Sequence, residues 1–134
     1  MLRTSHQDRR SVRPLTLQPG EVITGNVVNG LENRRASGKV RLVVVVDPTP
    51  QGHVLVAGLT SKALTARGEQ RDELLDNSPW GWLGRSYIYG QRLTRLSRID
   101  VGSHVGWVSE RDADTLARVF GLDHDWSELC GEAA

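Results

Sequence analysis

Cysteine is almost missing from this chain: Cys130 is the one thiol in 134 residues. No internal disulfide can form, which fits a reducing compartment, and zinc sites built from several thiolates are excluded. The four histidines, His6, His53, His104 and His124, lie far apart with no paired ligand spacing, so no metal is expected. No Walker loop, Rossmann glycine fingerprint or Gly-x-Ser-x-Gly elbow occurs, so no cofactor is expected. Apolar runs are short, none near the length that spans a bilayer, and no membrane partner is expected. The first residues, MLRTSHQDRRSVRP, lack the apolar centre of a secretory signal, and the expected location is the cytoplasm.

Charge of one sign is also lacking overall, since the formal net charge is only +1. It is unevenly distributed, however. Residues 1–13 carry four Arg against one Asp, while residues 123–134 carry four carboxylates and neither Lys nor Arg. A basic arm can neutralise phosphates in a salt-sensitive way, although a solvated terminus has the same composition. These shifts divide the chain into a basic arm (1–14), a folded domain (15–121) and an acidic tail (122–134).

Within the domain, β-branched residues dominate. EVITGNVV reads as a strand, NGLENRRASGK as a long polar loop, and VRLVVVVD as a strand buried on both faces. The turn cluster DPTPQG then predicts HVLVAGLTS as the next antiparallel strand. Residues 62–79 carry no clear period, and DELLDNS is either an edge strand or a short helix. SYIY predicts a further strand, and Trp80 and Trp82 before it suit a lid, an oligomer contact, a stacking surface or the core. SERDADTLARVFG predicts an amphipathic helix. Ser109 is its N-cap, Glu110 and Asp112 are acidic in the first turn, Ala113, Leu116, Ala117 and Phe120 form the apolar face, and Gly121 is the stop. The fold class is mainly β, a small barrel closed by one C-terminal α-helix.

The chemistry-bearing candidates sit at strand ends. Arg41 opens one strand and Thr60 closes the next, and an antiparallel hairpin through 48–52 puts both at the same end. A guanidinium and a hydroxyl meeting there, beside an Arg-bearing loop, would form an anion site. The plainer alternative is an Arg paired with a nearby carboxylate and a Thr that starts a turn.

Three blocks then resemble the MazF/PemK family of toxin-antitoxin ribonucleases, whose SH3-like barrel is shared with CcdB-type toxins. They are PGEVITGNV; GKVRLVVVV followed by HVLVAGLTSK; and SYIYGQRLTRLSRIDVGSHVGWVSERDADTLARVF, together spanning about residues 19–120. The resemblance implies a homodimeric toxin that cleaves single-stranded RNA without a metal and is held in check by an antitoxin protein. The ribose 2′-hydroxyl attacks the adjacent phosphate, leaving a cyclic phosphate and a 5′-hydroxyl. In this role Arg41 and Thr60 take the catalytic positions. Arg41 stabilises the phosphorane, its pKa being too high for an easy general base, and Thr60 orients the phosphate oxygens. Arg34, Arg35 and Lys39 on the long loop, with Ser61, Tyr89 and Gln91, would contact RNA.

Two departures from the family pattern stand out. Leu42 replaces the proline that usually follows the arginine, and Tyr89 and Gln91 occupy the place of an Arg-x-Asp pair that some members use. A tyrosine can stack on a base and a glutamine can read its edge. The alternative reading is therefore a catalytically inactive module of the same fold that binds nucleic acid or a host protein, as an accessory or phage-type growth inhibitor.

Overall fold

The computed structural model describes residues 17–27, 39–77, 84–123 and 125–130. Within them the elements run β1 (Glu21–Val27), β2 (Lys39–Asp47), β3 (His53–Thr60), β4 (Glu73–Leu74), β5 (Ser86–Ile88), β6 (Thr94–Ser97), a 3-10 turn (Arg98–Asp100) and β7 (Val101–Trp107). Two helices follow, α1 (Glu110–Phe120) and α2 (Trp126–Leu129). All strand pairs are antiparallel. The sheet order is β4-β5-β3-β2-β1-β7, with β6 also paired to β3.

The valine run of β2 becomes intelligible from the two-residue period of a strand, which sends alternate side chains to opposite faces. Val44 and Val46 face one core with Val22, Ala57, Leu59, Leu74 and Ile88, and α1 covers that core with Ala113 and Leu116. Val43 and Val45 face a second core with Ile23, Val27, Val54, Val56 and Leu96. Both faces are buried, so the run is continuous rather than alternating. The second core closes because β6 comes down on β1. A Cβ at Gly25 would lie 2.8 Å from the Leu96 side chain, so glycine there permits the close approach.

The helix forms as the sequence predicts. Ser109 caps it by accepting from the Asp112 amide at 3.1 Å, and Gly121 ends it in the left-handed conformation at φ +64°. Asp112 does more than complement the helix dipole. It is fully buried, and its two carboxylate oxygens accept from the amides of Leu75 and Asp76 at 2.8 and 2.9 Å, tying the segment after β4 to α1.

The unresolved choice over DELLDNS falls to a two-residue edge strand, β4, paired with β5. The acidic stretch after Gly121 also contains a core residue. Trp126 is buried in the α1-covered core, and its Nε1–H donates to the Val46 carbonyl at 3.0 Å. Cys130 packs against Gly20, which has no room for a Cβ there. The arm 1–14, Trp80 and Trp82 lie outside the described residues.

Candidate functional site

Arg41 and Thr60 meet because of the β2–β3 register. The ladder ends at Val43 and Gly58, and beyond it Arg41 and Thr60, each two residues further along its own strand, line the same cleft. Alternation places both on the face of Val43 and Val56, at the open end of the hairpin. Here β3 leaves β2 and its end, Leu59 and Thr60, pairs with β5. The result is a cleft of about 630 Å³ whose polar lining includes Arg41, Thr60, Ser61, Lys62, Arg71 and Tyr89.

Arg41 is held over the Tyr89 ring, with its guanidinium carbon 5.7 Å from the ring centroid. Its Nε is buried and has no hydrogen-bond partner among the described residues. A buried unpaired donor on a charged group is costly and calls for a partner that the described residues do not supply. Thr60 accepts from the Lys62 amide at 3.2 Å, which fixes its Oγ1 and leaves the hydroxyl proton to be donated elsewhere.

Tyr89 is positioned by its own backbone, its amide donating to the Gly58 carbonyl at 2.8 Å. Arg71 then locks this corner. Its Nε donates to the Tyr89 carbonyl at 3.1 Å, and its Nη1 donates to the carbonyls of Lys62 at 3.2 Å and Leu64 at 2.8 Å. The same guanidinium sits 5.1 Å from the Tyr89 centroid. One side chain thus holds the turn after Thr60 against the loop after β5. Arg71 escaped the sequence reading because residues 62–79 show no period and nothing but charge marks it.

The cleft continues in two directions. Toward β5 a space of about 250 Å³ shares Arg41, Thr60 and Ser61 and adds Arg85. Arg85 is held firmly charged, first by a hydrogen bond with Tyr87 and then by Glu73, 3.8 Å away. Beyond Tyr89 and Arg71 lies a further space of about 510 Å³ that contains Gln91. Gln91 and Arg41 are therefore in neighbouring compartments with Tyr89 between them. Lys39 pairs with Val27 at the start of β2, and its side chain, like Arg34 and Arg35, lies outside the described residues. Among the described residues no group of three or more His, Cys, Asp or Glu could hold a metal ion, and no helix is long and apolar enough to cross a membrane.

No family model and no curated protein matches the sequence. The structure does match one solved as an endoribonuclease in complex with its cognate antitoxin from a mycobacterial species, at a TM-score of 0.51. The two chains share a fold. The match covers 80% of this chain and 95% of the other at 16% sequence identity, so it speaks to architecture and not to individual residues. The architecture is a mostly β antiparallel sheet with a C-terminal helix, as the sequence indicated.

Proposed function

We propose that the protein is a toxin-type endoribonuclease that cleaves single-stranded RNA at the Arg41–Thr60 cleft. The observation that carries this reading is the buried Nε of Arg41, without a hydrogen-bond partner among the described residues, in the cleft that Thr60 also lines. A phosphodiester supplies what the site lacks, two anionic oxygens that a guanidinium can take in a bidentate grip. The resemblance in sequence and the shared fold with an endoribonuclease support the choice of RNA.

In the reaction the 2′-oxygen attacks phosphorus and the P–O5′ bond breaks, giving a 2′,3′-cyclic phosphate and a 5′-hydroxyl. A proton leaves the 2′-hydroxyl and one is delivered to the 5′-oxygen. Charge accumulates on the non-bridging oxygens of the phosphorane, where Arg41 stabilises it and the Thr60 hydroxyl donates to and orients them. Lys62 and Arg71 raise the local positive potential. A cognate antitoxin and a second copy of the chain complete the reading as partners, and growth inhibition is its cellular outcome.

A second reading has its own observation. No carboxylate or imidazole lines the Arg41 cleft among the described residues, so no ordinary proton acceptor is in place for the 2′-hydroxyl. That favours an RNA-binding module that does not cleave. Incubating the purified protein with long mixed-sequence RNA in EDTA separates the two. Discrete new 5′-hydroxyl ends, reduced about 100-fold or more in a folded Arg41→Ala variant, establish the enzyme. Intact RNA that nevertheless binds establishes the module, and cleavage undiminished in Arg41→Ala refutes the catalytic assignment.

A further inference from the structure

Tyr89 and Arg71 form a wall with a polar compartment on each side, and the two compartments differ in chemistry. The Arg41 side is cationic and hydroxylic. The far side, about 510 Å³, has an apolar base in Ile88 and Val119 and a rim of amide and ionic groups, among them Gln91, Asp72 and Arg118. Asp72, immediately before β4, and Arg118, on α1, face each other at 3.4 Å. The backbone of Asp72 is anchored, its carbonyl accepting from the Ile88 amide at 2.8 Å. A long ion pair between half-exposed groups leaves oxygens and N–H groups open to a third party.

We infer that this second compartment is a nucleobase subsite and that the base it selects is guanine. The inference rests on the reading of the neighbouring cleft as a phosphate site. A nucleotide whose phosphate lies at Arg41 has its base, or that of its neighbour, beside Tyr89, a residue 44% exposed. Beyond the ring, the Arg118–Asp72 pair presents a donor next to a two-oxygen acceptor. Guanine presents the complement on its Watson–Crick edge: the O6 acceptor beside the N1–H and N2–H₂ donors, which match one carboxylate bidentately. Adenine and cytosine each put an acceptor where that carboxylate needs a second donor, and uracil offers one donor between two acceptors. Gln91, at the same rim, can give or take a hydrogen bond with either edge.

The test uses binding, which is independent of cleavage. Fluorescence anisotropy with the full-length protein and 2′-O-methyl RNA hexamers, which cannot undergo 2′-hydroxyl attack, compares a single guanine placed in a uracil background with inosine, adenine or cytosine at the same position. The expected result is tighter binding to guanine, weakened about 10-fold by inosine, which lacks only the N2 amine. That difference should vanish in Asp72→Asn, whose fold is checked by an unchanged thermal midpoint. Equal affinity for guanine and inosine in the wild-type protein overturns the guanine assignment, and a preference that survives Asp72→Asn overturns Asp72 as the acceptor that makes it. Cleavage of ordinary RNA is measured separately: its absence with guanine preference intact would remove the ribonuclease and leave the subsite.

Discussion

Replacing Asp112 by Ala is a sharp test of how this fold is held together. The carboxylate is completely buried at the third residue of α1, and it accepts from two main-chain amides 36 and 37 residues away in sequence. A hydrogen bond to a charged group contributes roughly 1.5–3 kcal/mol. Leu75 is exposed and Asp76 half-buried, so water can partly replace the lost acceptor, which favours the low end, about 1.5 kcal/mol for each bond. Loss of an anion from the first helical turn adds about 0.5 kcal/mol. Asp112→Ala should therefore destabilise the protein by about 3.5 kcal/mol. Asp112→Asn, which keeps one acceptor, should lose about half as much. In urea, with a slope near 1.5 kcal/mol/M, the alanine variant's midpoint falls by about 2 M at unchanged slope. A loss under about 1 kcal/mol would show that the two amides are satisfied without the carboxylate and would refute the account of why the β4 edge stays on the helix.

Three further outcomes follow from particular contacts. Trp126→Ala removes a buried indole and its bond to the Val46 carbonyl and should destabilise by about 4 kcal/mol in the same urea assay; a change below about 1 kcal/mol would mean that α2 does not contribute to the core. Burial, with a smaller contribution from Asp114, pushes the Cys130 thiol up to about 12, so alkylation of the folded protein at pH 8.5 should be much slower than in urea, and equal rates would contradict its packing on Gly20. The same shift has a sign for stability. The folded thiol stays protonated while the unfolded one ionises near pH 9, so this contribution is complete below pH 9 and is lost as pH rises toward 12. Arg71→Ala should release the turn after Thr60 from the Tyr89 loop and weaken RNA binding, with Arg71→Lys failing to rescue because one ammonium cannot reproduce the fork to three carbonyls; full affinity in the lysine variant would refute that positioning role.

Much of the architecture was legible in the chain itself. The β-branched run 40–46, the turn residues 47–52 and the Ser109 to Gly121 helix signals are local, and local sterics and hydrogen bonding decide such elements without reference to the rest of the fold. That Arg41 and Thr60 come to the same end of the hairpin was legible for the same reason, since both follow from the turn between their strands. What sequence could not reveal were contacts between distant segments. Nothing local distinguishes Asp112, which caps a loop some 36 residues away, from an exposed first-turn acid. Trp126 looked like part of a charged tail, yet it fills the core beside Val46. Arg71 carries no periodicity, and only the closing of the sheet sets it and Tyr89 between two compartments, with Arg118 of α1 on the far one. Secondary structure and the hairpin were written in neighbouring residues. The shape of the site was decided by tertiary packing, because a side chain's burial and partners depend on segments that the chain brings together only when it folds.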